Sequence, residues 1–165
     1  MKNHITFIFF YLLIVLMLCY NSCDLNPYPD VCEKSPYVNQ VASGTFMNEP
    51  FTFTGGIAKV SQVNAPHHSF SLYGEDIIGD ICDHIPKKII RFDIPNRVGT
   101  TIFDLTSLYF INSSNPDSSF HNLVLCGEVE ILEVNENTVK GRITAFNDQF
   151  ITNSINGNFE VTLCD

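Results

Sequence analysis

Six side chains able to ligate a metal or move a proton fall within ten positions: Glu75, Asp76, Asp80, Cys82, Asp83 and His84, in a glycine-containing stretch shortly after His67 and His68. Carboxylate oxygens are hard ligands, so Glu75, Asp76, Asp80 and Asp83 make a candidate calcium loop. Their spacing does not follow the EF-hand pattern, and acids in loops are far more often simply solvated. Solvation is therefore the preferred reading and calcium the alternative.

His67, His68, His84 and His121 could supply zinc ligands or a general base, but no H-E-x-x-H or comparable spacing accompanies them. His68 is in phase with Phe70 and Leu72, which puts it at a strand end partly covering the core. A nucleophilic Ser or Cys needs an exposed, strained turn with a base in reach, usually announced by a pattern such as G-x-S-x-G. Ser43-Gly44 and Ser113-Ser114 are ordinary turn composition instead. No catalytic residue and no cofactor is expected, and the chain reads as a non-enzyme.

The elements that must position these residues are strands. Leu123, Leu125, Val129 and Ile131 alternate with Glu128 and Glu130; Val139, Ile143 and Ala145 alternate with Lys140, Arg142 and Thr144. Val134 to Thr138 between them is turn chemistry, so the two runs predict a hairpin, with Glu128 or Glu130 opposite Arg142 or Lys140 on the wet face. Ile155, Phe159, Val161 and Leu163 mark a third strand pairing back antiparallel. Shorter runs precede this meander: Thr45–Met47, Phe51–Thr54, Ile57–Val63, Ser69–Tyr73, Lys88–Ile94 and Thr101–Ile111. Turn residues such as Gly55-Gly56, Ala65-Pro66 and Pro95 to Gly99 separate them. No run has helical periodicity over ten positions, so any helix is a single turn near Asp76 to Asp83. The pattern predicts an all-β domain, a single antiparallel β-sandwich or partly open barrel of about eight or nine strands.

Ahead of the domain, Met1 to His4 is a short basic start and Ile5 to Leu18 an apolar run broken only by Thr6. That run suits a signal peptide and is shorter than the ~20 residues a membrane-spanning helix needs. Ser22-Cys23 at its end resembles a lipobox, although Tyr20 stands where an aliphatic residue is usual. The expected organisation is a cleaved signal over 1–22, a lipid-anchored tether over 23–40 carrying Pro27, Pro29 and Pro36, and a β domain over 41–165. Acyl chains on Cys23 would hold it on a bilayer.

Export places Cys32, Cys82, Cys126 and Cys164 in an oxidising compartment as an even set, which predicts two disulfides. In the meander Cys126 lies near the open end of the first hairpin and Cys164 beside its turn. At about 3.3 Å per residue they stand roughly 26 Å apart, against a Cα separation of under about 7 Å that a disulfide allows. Two schemes survive: Cys82 with Cys126 plus Cys32 with Cys164, or Cys32 with Cys126 plus Cys82 with Cys164. The first ties the tether to the C-terminus and the mid-chain loop to the sheet, and is favoured on that ground.

Composition limits the partners. There are 9 Lys and Arg against 18 acidic residues, a net charge of −9. Lys2 is the only charged side chain among the first 22, so the mature chain carries −10. Nucleic acid is excluded as an expected partner, since Lys87, Lys88 and Arg91 are the densest basic group and read as a solvated strand end. With 14 Phe and no Trp the core should be phenylalanine-rich.

Cys23 after its apolar leader, Gly44-Thr45-Phe46-Met47-Asn48-Glu49-Pro50-Phe51, Val139-Lys140-Gly141-Arg142-Ile143, and Asn156-Gly157-Asn158-Phe159-Glu160-Val161-Thr162-Leu163 together resemble a family of small lipoproteins from Bacteroidota with no assigned activity. The chain departs from it at Phe51, where such proteins often carry Trp, and in its additional cysteines. The resemblance implies a β-sandwich lipoprotein of the cell envelope, on the outer membrane at its periplasmic or surface face, and brings no catalytic residue or cofactor. The expected function is a binding module whose partner is another envelope protein or a glycan, with membrane contact through the N-terminal lipid. A lipocalin-like carrier of a small apolar ligand is the alternative. The inner-face phenylalanines favour a filled interior over a cavity, and a binding module would show Tyr73 and Tyr109 exposed on loops beside a solid core.

Overall fold

The computed structural model describes residues 35–61, 67–103, 108–114, 122–123, 126–147 and 153–164. The expected leader over 1–22, Cys23, Cys32, most of the tether and His121 lie outside the described residues. Among those described there is no helix, and the Ile81–Asp83 segment forms a turn.

Strands arise where the sequence alternates. Cys126–Val134 (β9), Thr138–Asn147 (β10) and Asn153–Leu163 (β11) make the expected antiparallel meander, except that Leu123, expected in its first strand, pairs instead with Tyr109. Glu130 faces Arg142 across the first hairpin, with Glu130 Oε2 2.6 Å from Arg142 Nη2, and Lys140 Nζ lies 3.4 Å from Glu133 and 4.0 Å from Glu160. Such partly exposed pairs favour this register by less than ~1 kcal/mol each. Glu128 departs from the expected wet face and is buried. It faces Tyr37, whose hydroxyl is pushed above its ordinary pKa by burial and then by the Glu128 charge.

Upstream, Ser43–Phe46 (β1) and Glu49–Thr52 (β2) form a hairpin through Met47 and Asn48, both at positive φ, as a two-residue turn matching the sheet's twist requires. Gly55–Val60 (β3), His67–Tyr73 (β4), Lys88–Pro95 (β5) and Leu108–Asn112 (β7) follow as antiparallel neighbours, with Asn122–Leu123 (β8) on the edge. Gly99–Ile102 (β6) instead lies beside β9. The run expected as one strand over Thr101–Ile111 is thus two, one beside β9 and the other beside β5. Both pieces alternate, so local pattern reads as continuous; the choice of partner strand is what divides them.

Within the unit spanning Cys32–Asp165, all eleven strands belong to one strongly curled, half-barrel sheet, in the order β6-β9-β10-β11-β3-β4-β5-β7-β8, with β1 and β2 attached to β11. The junction is β11. Its first half pairs with β1, and its end runs parallel to β3 through Thr162 with Ile57 and Leu163 with Ala58. Gly157 permits the change at φ +137°, where a Cβ would stand 2.7 Å from both Ala42 Cα and Gln40 O. That close approach carries the bonds Asn158 N to Gln40 O (2.7 Å) and Ala42 N to Asn158 O (2.9 Å). The end of the expected tether is thereby bound to the sheet. Val38 N also donates to Asn156 Oδ1, Asn156 Nδ2 donates to Pro36 O, and the Tyr37 ring lies 4.3 Å from the Arg142 guanidinium carbon.

The inner face is the phenylalanine-rich core expected from composition. Phe46, Phe51, Phe70, Phe92, Phe103, Phe110 and Phe159 are all buried. Phe92 stacks on Phe70 at 5.2 Å and meets Phe159 edge-on at 6.1 Å, while Phe46 meets Phe110 edge-on at 5.9 Å. These are the offset and edge geometries aromatic quadrupoles prefer.

Candidate functional site

The outer face of β3, β4 and β5 is built in three rows fixed by register. Gly55, Tyr73 and Ile89 form one row; Ile57, Ser71 and Arg91 the next; Lys59, Ser69 and Asp93 the third. Because side chains alternate across a strand, all of these project from the face opposite Phe70, Leu72 and Phe92. Two serines in the central strand, flanked by longer side chains, leave a depression.

The segment between β4 and β5 crosses one end of this face. Ile77, Ile81 and Cys82 cover Ile57, Tyr73, Ile89 and Cys164, forming a second apolar cluster outside the main core. Cys82 and Cys164 are joined by a disulfide with Cα atoms 5.8 Å apart. The connectivity favoured from sequence, Cys82 with Cys126, is corrected: the parallel junction of β11 with β3 places Cys164 on the outer face, where Cys164 N donates to Ala58 O at 2.9 Å beneath the crossing segment. Cys126 is also disulfide-bonded. In the scheme containing Cys82–Cys164 its partner is Cys32, which is outside the described residues.

What remains uncovered is a trough of about 540 Å³. Its floor is Ser69 and Ser71, its sides are Lys59, Arg91 and Asp93, and its roof is Cys82, His84, Ile85 and Pro86. Lys59 Nζ donates to Cys82 O at 3.1 Å, and Arg91 Nε reaches Ser71 Oγ at 3.4 Å. Neither cation pairs with a carboxylate among the described residues. Asp93 Oδ1 has no hydrogen-bond partner although it is buried, and the same holds for His84 Nε2, which stands 3.6 Å from Glu75 Oε1.

The loop acids serve the turn. Asp80 Oδ1 accepts from Cys82 N at 2.9 Å, Asp83 N donates to Asp80 O at 3.2 Å, and Glu75 accepts from Lys87 N. Asp76 and Asp83 are exposed. Among the described residues no three His, Cys, Asp or Glu side chains converge on a point where a metal could sit, so Glu75, Asp76, Asp80 and Asp83 do not form a ligand set. His68 lies where its phase with Phe70 placed it, partly covered, with its pKa lowered by burial.

Tyr73 and Tyr109, whose exposure on loops is the expected mark of a binding module, do not show it: Tyr73 is 1% exposed at the end of β4, and Tyr109 is half-buried on β7. Burial pushes the Tyr73 hydroxyl up to about 12, against the opposing pull of Arg91. Between the ordinary value near 10 and that folded value the unfolded chain loses this proton while the folded chain keeps it, so stability falls as pH rises through that interval. Urea titrations from pH 9 to 12 should show this alkaline loss and a shallower one in Tyr73→Phe; equal slopes would remove Tyr73 as its source.

Sequence reasoning did not single out Lys59, Ser69, Ser71 or Asp93, and placed Arg91 only at a solvated strand end. Their one local signal is the polar half of three alternating strands, which any wet sheet face carries. The chain matches no known protein-family model, no curated protein and no solved structure.

Proposed function

We propose that this chain is a non-catalytic binding module of the bacterial cell envelope, a lipoprotein of the Bacteroidota type held to the membrane through Cys23, which takes a small polar ligand or one unit of a glycan in the trough over β3, β4 and β5. The single observation carrying this reading is the trough itself: about 540 Å³, within the range of small-molecule sites, lined by Lys59, Arg91 and Asp93 beside Ser69 and Ser71. Binding is favoured over hydrolysis because Ser71 Oγ accepts from Arg91 Nε at 3.4 Å, a cation where a nucleophile needs a base. The Cys82 thiol is consumed in a disulfide. A carrier of apolar ligands needs a hollow interior, whereas Phe70, Phe92 and Phe159 meet across this one.

Native mass spectrometry of the chain incubated with a small-molecule extract of its host envelope tests the binding reading. An adduct should form, and Ser69→Phe, which fills the floor from the wet face, should abolish it without altering the far-UV circular dichroism. An adduct indifferent to Ser69→Phe would sink the trough as the binding place. The same spectra report the anchor, for which an acylated N-terminal Cys23 is the expected mass.

A further inference from the structure

We infer that the trough takes a carboxylate with hydroxyl groups on nearby carbons, the chemistry of a sugar acid, free or as one unit of an acidic glycan. This rests on the trough being the binding place and goes on to name what fills it.

The arrangement of charge carries the inference. The mature chain is at −10 and repels anions at long range. An anion is held only where local cations are not already neutralised, and Lys59 and Arg91 meet that condition. Their hydrogen bonds also direct them. Lys59 Nζ is turned to Cys82 O in the roof, and Arg91 is laid across the trough toward Ser71 in the central strand. Both heads therefore lean toward the Ile57–Ser71–Arg91 row beneath Cys82 and Pro86, and the outer edge of the Arg91 guanidinium is left for a planar carboxylate.

Asp93 sets the second requirement. It lies one alternation along β5 from Arg91 and across Ser69 from Lys59, with a buried oxygen that no donor reaches. A bare carboxylate would leave that acceptor unsatisfied and be repelled by it. Hydroxyls near the carboxylate would donate to Asp93 while the serine hydroxyls serve the remaining ligand oxygens. Neutral sugars are usually held by a ring stacked on an exposed aromatic face, but the two rings lining this trough are covered, Tyr73 at 1% exposed and the His84 side chain at 11%. Charge, not stacking, must provide the hold.

Calorimetric titration of the full chain in detergent with glucuronate, gluconate, glucose and acetate tests the inference, alongside ¹H–¹⁵N spectra that locate the perturbed residues. Glucuronate or gluconate should bind at least about tenfold more tightly than glucose or acetate and shift Ser69, Ser71 and Arg91. Arg91→Ala and Lys59→Ala should each weaken glucuronate about tenfold or more, the scale of a lost charge-assisted hydrogen bond. Asp93→Asn should bring glucuronate down toward acetate and leave acetate unchanged or tighter. A disaccharide carrying a terminal glucuronate joined through its C1, which keeps the glucuronate hydroxyls, would assign the ligand to a glycan if it binds more tightly than glucuronate, and equal affinities would assign it to a free acid. No binding of either acid at millimolar concentration, or glucose binding as tightly as glucuronate, would overturn the inference. If glucose binds as tightly and shifts the same residues, the trough stays the binding place, whereas an envelope-extract adduct insensitive to Ser69→Phe removes the binding place itself.

Discussion

The Cys82→Ser, Cys164→Ser double variant should unfold with ~4 kcal/mol less free energy than the native chain and melt roughly 15 °C lower. The two cysteines are 82 positions apart, so the crosslink removes a large loop-closure entropy from the unfolded chain. The native side adds to this. The segment between β4 and β5 holds Ile77 and Ile81 against Ile57, Tyr73 and Ile89, and its own tips, Ile78 and Ile85, are 83% and 85% exposed. A segment so lightly buried has little besides the disulfide and its turn bonds to keep it down. Because Cys82 O holds Lys59 and the segment forms the roof, the same variant should lose trough ligands while its far-UV circular dichroism stays that of a sheet. Replacing both cysteines avoids an unpaired thiol that would complicate refolding. A melting shift of only a few degrees with the trough intact would show that packing alone seats the segment.

Phe92→Ala should cost ~3–5 kcal/mol in urea or guanidinium unfolding, near the upper end for a core truncation. Phe92 is fully buried at the middle of β5, stacked on Phe70 at 5.2 Å and within 5.5 Å of Phe103 and 6.1 Å of Phe159. Its neighbours sit on β4 and β11 and beside β6, so a void there cannot collapse without moving several strands. Phe92→Leu, which keeps most of the volume, should recover more than half of the loss. The result bears on function: an interior that loses under ~1 kcal/mol would be loosely filled, and the apolar-ligand carrier would displace the outer-face trough as the better reading.

Much of the architecture was legible before any coordinates. Alternation placed β9, β10 and β11 as antiparallel neighbours and left their register between alternatives, of which the structure has Glu130 opposite Arg142. It also separated Phe70, Leu72, Ile90 and Phe92 from the wet face, because a period of two assigns each side chain to one face wherever one face is buried. Asn48 marked the β1–β2 turn since its backbone preference acts locally, whereas Gly55-Gly56, expected as a break, opens β3.

Long-range pairing was not legible. The split of the run ending at Ile111, the burial of Glu128 beneath Tyr37, and the parallel joining of β11 to β3 each depend on which strand becomes a neighbour, and nothing within a few residues of these positions encodes that choice. The disulfide shows the consequence. Geometry along the meander correctly separated Cys126 from Cys164, yet choosing between Cys82–Cys126 and Cys82–Cys164 required knowing that the end of β11 lies on β3.

By itself, then, the sequence determined an all-β chain with a phenylalanine core, an acidic surface and no local catalytic signature, because composition and a two-residue period act over short distances. Only the tertiary structure brought Lys59, Ser69, Ser71, Arg91 and Asp93 from three strands into one trough and closed its end with Cys82 and Cys164. These residues sit where every wet strand face carries polar side chains, and it is the register between strands, a non-local quantity, that turns them into a site.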